Sequence, residues 1–154
     1  MKTCLPFVLV FAACATLPPP PQPATFPSLP VATLSGDAGE LRRAAAGRPM
    51  VVDFFASWCE PCRASFPRLS LLARSHPEVG VFGVDIGEEP PLVAAFVARE
   101  HIDYGVFVDP EVRLADACGV IHMPAVLAVD ADGRIVYRGD DVGAAAAALG
   151  ISTR

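Results

Sequence analysis

The five residues Trp58-Cys59-Glu60-Pro61-Cys62 constrain this chain more than any other stretch of it. Two thiols three positions apart at the first turn of a helix lie within the Cα separation that a disulfide needs. A helix N-terminus adds free N–H groups and a partial positive charge, which favour a thiolate on the first sulfur. Upstream, the run Met50-Val51-Val52-Asp53-Phe54-Phe55-Ala56 reads as a buried strand. Downstream, Cys62, Phe66, Leu69 and Leu72 fall at helical spacings on one face, predicting a helix over 60–75 that Pro67 should kink. A strand, a tight turn and a Cys-x-x-Cys that opens a helix point to reversible dithiol exchange rather than to zinc.

The remaining elements fit around this unit. Residues 30–34 suit an edge strand, and 37–46 a short amphipathic helix ending at Gly47. Another apolar strand is expected at 79–85. A helix follows at 88–101, with Pro90 and Pro91 in its first turn and Leu92, Val93, Phe96 and Val97 on one face. A short strand at 106–108 and a helix at 111–118 come next. Strands at 125–129 and 135–137 flank the turn Asp130-Ala131-Asp132-Gly133 and form a hairpin. The alanines at 144–148 suit a C-terminal helix. With 53% apolar residues the chain can fill one packed core, and the order predicts an α/β sandwich with parallel units first and an antiparallel hairpin last.

The N-terminal thirty residues have a different character. Residues 1–13 resemble an export signal, with Lys2 as the basic region and a short apolar run after it. Phe11-Ala12-Ala13-Cys14 has the small-small-Cys pattern of a bacterial lipoprotein cleavage site, making Cys14 the candidate lipidation residue. Plain cleavage after Ala13 or Ala15 is the alternative. The apolar run is too short to span a membrane. Seven prolines between positions 18 and 30 predict an extended, semi-rigid tether over 14–30, with the folded domain at 31–154. A formal charge of −5 argues against nucleic acid as a partner.

From these residues the chain resembles the thioredoxin superfamily, and within it the TlpA/ResA/DsbE-like extracytoplasmic thiol–disulfide oxidoreductases. The resemblance covers about residues 40–150. It rests on Phe54 through Cys62, on Pro67, on Met123-Pro124 directly before the last hairpin, and on an extra helix and strand at 88–108. It implies a three-layer sandwich with a mixed central sheet, in which 88–108 is the TlpA-type insertion and Pro124 is cis. Two positions depart from the ResA pattern. Ser65 stands where those proteins carry Glu, and Asp53 stands where cytoplasmic thioredoxins have a buried acid.

The resemblance assigns roles to single residues. Cys59 is the exposed nucleophile that forms a mixed disulfide with a client, and Cys62 the buried thiol that resolves it. Asp53, a charge inside an apolar strand, has a raised pKa and accepts the Cys62 proton. Pro61 shapes the turn, and Glu60 disfavours the thiolate unless solvent screens it. Trp58 shields the disulfide or packs in the core. The backbone of Met123, beside Pro124, pairs with a client peptide. No cofactor beyond the Cys59–Cys62 dithiol and no metal is implied. The partners expected are client protein thiols and disulfides, a lipid-anchored membrane surface, and a membrane electron donor of the DsbD/CcdA type, all outside the cytoplasm. Cys118 reads as a small buried apolar residue, His122 as a loop histidine, and His76 and His101 as helix-end residues. The competing function is a copper chaperone holding Cu(I) through Cys59 and Cys62, with His122 as a candidate further ligand. A peroxidase on the same fold is a third reading, disfavoured by the Cys-x-x-Cys itself.

Overall fold

The computed structural model describes residues 22–152. The leader at 1–13, Cys14 and the first part of the proline-rich stretch lie outside them. Seven strands form one mixed sheet in the order β2-β1-β5-β4-β3-β6-β7. They are β1 (Val31–Thr33), β2 (Ala38–Gly39), β3 (Met50–Phe55), β4 (Gly80–Ile86), β5 (Gly105–Asp109), β6 (Ala125–Val129) and β7 (Ile135–Gly139). β3, β4 and β5 run parallel, whereas β1, β2, β6 and β7 join by antiparallel pairing. The helices are α1 (Leu41–Ala45), α2 (Phe66–Ser75), α3 (Pro90–Glu100), α4 (Arg113–Cys118) and α5 (Val142–Ala148). This is the thioredoxin-like three-layer sandwich, with α3 and β5 as the insertion.

Strand alternation divides the core. Val52 and Phe54 of β3 join Phe82 and Val84 of β4 in one apolar layer, together with Leu41 and Leu114. Val51 and Phe55 point the other way, into the layer that holds Cys59, Cys62, Phe66, Leu69 and Phe96. Asp53 lies between Val51 and Phe55 in the strand, so the period of two carries its carboxyl to the same face as the cysteines. In β4 the same alternation puts Gly83 opposite Asp53 and Asp85 opposite Phe55.

Three expectations change. The first concerns α1, which starts later than residue 37. Thr33 and Asp37 close a turn through two hydrogen bonds, Thr33 N–H to the Asp37 carbonyl and Asp37 N–H to Thr33 Oγ1, which creates β2. The Glu40 carboxylate then caps α1 by accepting from the Arg42 and Arg43 N–H groups. The second concerns the helix at 60–75, which breaks rather than kinks. Pro61–Ala64 is a 3₁₀ turn, and the α-helix begins only at Phe66, with Pro67 in its first turn where no N–H is needed.

The third is the domain boundary, which lies upstream of residue 31. Thr25 bridges Arg134, the Phe26 N–H donates to the Gly133 carbonyl, and the Ile135 N–H donates to the Ala24 carbonyl. Phe26 is 3% exposed and belongs to the core. Arg138 donates to the carbonyls of Pro23 and Cys118. Residues 23–26 therefore form a strap on the outer edge of β7, because an open strand edge offers free N–H and C=O groups to any segment that can reach it. The prolines prevent a full strand, and only a single bridge forms.

Candidate active site

β3 delivers the chain to the site and stops at Phe55. The Cys59 N–H then donates to the Ala56 carbonyl, and the Cys62 N–H to the Cys59 carbonyl. This tight turn sets the two Cα atoms 5.4 Å apart, and a disulfide joins Cys59 to Cys62. Cys62 is fully buried. Cys59 is 6% exposed, less than expected for the attacking sulfur, and packs with Cys62 in the apolar layer. Trp58 is 70% exposed, which excludes the core-packing alternative. Met123-Pro124 is a cis peptide bond, both residues are half-buried, and Met123 packs on the layer that contains the cysteines. Ile121 and His122, just before them, are exposed.

Glu60 and Pro61 are exposed at the turn. The Glu60 carboxylate pairs with Arg63 at 3.0 Å, with 85% of its side chain in solvent. Its charge is both countered and screened, so its effect on the Cys59 sulfur is small. Arg63 also bonds Glu100 and lies 5.3 Å from the centre of the Phe96 ring, with Arg99 at 5.2 Å. Phe55, Phe66 and Phe96 pack with centroid distances of 5.3, 5.9 and 5.9 Å. This aromatic wedge fixes the 3₁₀ turn against the end of β3.

Asp53 is completely buried beneath the turn. Burial pushes its carboxyl up to about 7, partly opposed by a hydrogen bond from Ser65. Ser65 Oγ lies 2.8 Å from Asp53 Oδ2 and 2.7 Å from the Cys62 carbonyl oxygen. Among the described residues Asp53 Oδ1 has no partner, and neither does the buried Tyr104 hydroxyl. Tyr104 packs over Gly83, the residue opposite Asp53, where a Cβ would come within 3.3 Å of its ring. Burial and the nearby Asp53 charge raise the Tyr104 phenol well above its ordinary value.

Two further acids, Asp85 and Glu88, lie at the end of β4 and have no counterpart among the residues expected from the sequence. Glu88, just past β4, accepts from the Ser57 N–H at 2.6 Å and from the Ser57 hydroxyl at 2.7 Å. Asp85 is buried beside it, with neither carboxyl oxygen bonded to a donor. Burial, then contact with Glu88, pushes Asp85 up to about 8. Burial also raises Glu88, but Ser57 and Asp85 together hold it below the ordinary range. At neutral pH Asp85 therefore keeps its proton, and the ionised Glu88 clamps the residue before Trp58. The available signal was the one used for Asp53, a carboxylate inside an apolar strand.

Among the described residues no group of three or more His, Cys, Asp and Glu could hold a metal ion, so the copper reading gains no ligand set. Cys118 is fully buried, and burial pushes its thiol up to about 12. His76 and His101 form the C-caps of α2 and α3. Among the described residues no helix is long and apolar enough to cross a membrane.

Sequence and structure comparisons agree with this geometry. The thiol:disulfide interchange protein DsbE homolog of Paracoccus denitrificans is 38% identical over 116 residues, 73% of this chain and 62% of that protein. The thiol-disulfide oxidoreductase ResA of Bacillus thuringiensis subsp. konkukian is 28% identical over 112 residues, 71% of this chain and 64% of that protein. The chain therefore spans less than two thirds of the length of these curated relatives. A secreted Mycobacterium tuberculosis disulfide oxidoreductase homologous to E. coli DsbE shares the fold, with a TM-score of 0.65 at 24% identity over 74% of this chain and 84% of that one. The Redoxin family model matches residues 22–146, from the edge strap into α5. On that match and on the fold around Cys59 and Cys62, the chain belongs to the Redoxin family of the thioredoxin superfamily.

Proposed function

We propose that the protein is an extracytoplasmic thiol–disulfide oxidoreductase that reduces disulfides of client proteins. The observation that carries this reading is the Cys59–Cys62 disulfide, seated at the end of β3 directly above a buried carboxyl held near neutrality. The reduced Cys59 thiolate attacks a client disulfide, forms the mixed disulfide and releases one client thiolate. Cys62 gives its proton to Asp53, and its thiolate attacks the Cys59 sulfur. The bond between Cys59 and the client breaks, the second client thiolate leaves, and two electrons have passed to the client.

Trp58, Ile121 and the Met123 backbone beside Pro124 form the surface on which the client peptide lies. The dithiol is the only redox group the reaction needs. Its reducing equivalents come from a membrane dithiol carrier of the DsbD/CcdA type. The leader at 1–13 and lipidation of Cys14 would hold the domain on the outer side of a membrane.

The test is insulin reduction driven by limiting dithiothreitol. Wild type accelerates precipitation of the insulin B chain, Cys59→Ser does not, and Cys62→Ser accumulates a mixed disulfide with the substrate. Full activity in Cys59→Ser overturns the reading.

A further inference from the structure

We propose that Ser65 is a positioning residue for the resolving step, a hydroxyl relay that turns between Asp53 and the Cys62 carbonyl as Asp53 gains or loses its proton. The proposal rests on the exchange reading above and assigns it a residue outside the Cys-x-x-Cys motif.

The reason is a count of hydrogens. Ser65 Oγ is 2.8 Å from Asp53 Oδ2 and 2.7 Å from the Cys62 carbonyl oxygen, and Asp53 and Ser65 are 0% and 7% exposed. A hydroxyl has one hydrogen, whereas a carbonyl and an ionised carboxylate only accept. With Asp53 ionised, one of the two short contacts would hold no hydrogen. With the proton on Asp53 Oδ2, Asp53 donates to Ser65 Oγ and Ser65 donates to the Cys62 carbonyl, so both contacts close. The structure holds the oxidised pair. The closed relay thus joins a disulfide to a neutral Asp53.

That combination is the product of resolution. The Cys62 thiol and the Asp53 carboxylate become a thiolate and an acid. The thiolate bonds to the Cys59 sulfur, and the client sulfur leaves with the electron pair. Before the transfer Asp53 is anionic and Ser65 turns its hydrogen to Oδ2. The Cys62 carbonyl then keeps only the Ser65 N–H at 3.1 Å. After it, the acid donates to Ser65 and the hydroxyl swings back to the carbonyl. Among the described residues Ser65 is the one hydrogen-bond partner of this carboxyl, since Oδ1 has none. Among the described residues Ser65 bonds Asp53 and the Cys62 carbonyl and neither sulfur, so its part is to keep either charge state of Asp53 satisfied.

The experiment follows the two steps separately. Attack is read as the rate of Cys59 alkylation by iodoacetamide, and resolution as the decay of a mixed disulfide preformed with a chromogenic thiol, from pH 5 to 9. In Ser65→Ala the buried carboxylate loses its one donor among the described residues. Resolution at pH 7 should slow by roughly tenfold and its pH midpoint should move upward, with the alkylation rate unchanged. Ser65→Thr should restore both. An unshifted midpoint, or equal slowing of attack and resolution, overturns the proposal. The wild-type protein supplies an independent measurement that no folding defect can obscure. Its oxidised-minus-reduced infrared difference spectrum at pH 6 should contain a protonated carboxyl band that Asp53→Asn removes, and absence of that band also overturns it. If instead the exchange reading is wrong, wild type itself shows no insulin turnover and no mixed disulfide to decay.

Discussion

A carboxyl held at about 7 binds its proton more tightly in the folded chain than in the unfolded one. The folded state therefore carries the extra proton between the ordinary aspartate range and pH 7, and stability falls as pH rises through that window. Below the window both states are protonated and the penalty is absent. Above it the penalty is complete, at most about 4 kcal/mol at roughly 1.4 kcal/mol per pH unit. Asp53→Asn should stabilise the oxidised protein by about 2–3 kcal/mol at pH 8 and by almost nothing at pH 4. Urea unfolding at the two pH values measures this, and an equal gain at both would mean that Asp53 ionises freely. Asp85, pushed up to about 8, acts in the same direction over a wider window. Cys118 makes a contrasting case. Its buried thiol stays protonated through the neutral range, so in a reduced chain starting at Gln22 iodoacetamide should modify Cys59 and leave Cys118 until urea unfolds the protein.

The exits of β3 and β4 meet at Ser57 and Glu88, and this contact joins the sheet to the redox turn. Two donors of one residue bind two oxygens of one carboxylate, a geometry that fixes orientation as well as distance. Glu88→Ala should cost about 2–3 kcal/mol and Ser57→Ala about 1 kcal/mol. The double variant should fall short of their sum by about 1 kcal/mol, because both single variants remove the bond from the Ser57 hydroxyl to Glu88. A cycle of urea midpoints decides the matter, and strict additivity would mean that the clamp has no energetic content. Most elements were legible because their periodicity was strong, as in β3 with its continuous apolar run. Glu88 and Asp85 were not, since what matters about them is the register of β4 against β3, which pairs Asp85 with Phe55. The break at residues 61–66 was also missed. A kink and a break both satisfy Pro67, and only the packing of Phe55, Phe66 and Phe96 selects the break.

Across the whole molecule the sandwich order and the position of the dithiol could be read from the chain, because Cys59 and Cys62 are local to one turn. The N-terminal limit of the fold could not be read, because the proline-rich composition of 18–30 signals a tether whether or not an edge is within reach. The outer edge of β7 is within reach, and Phe26 enters the layer that also holds Leu41, Met50 and Leu127. A chain starting at Val31 would lose that buried ring, the bridge at Thr25 and the bond from Arg138 to the Pro23 carbonyl, and would leave β7 as an open edge. Deleting a buried phenylalanine side chain costs about 3–5 kcal/mol. The Phe26→Ala chain starting at Gln22 should show most of that loss, and the chain starting at Val31 at least as much. The distance from the strap to the dithiol in the chain order, and its place on the opposite apolar layer, predict that Cys59 alkylation in the surviving folded fraction stays near the wild-type rate. Equal stability of the Gln22 and Val31 chains would return the boundary to residue 31 and make the strap an ornament of the edge rather than part of the core.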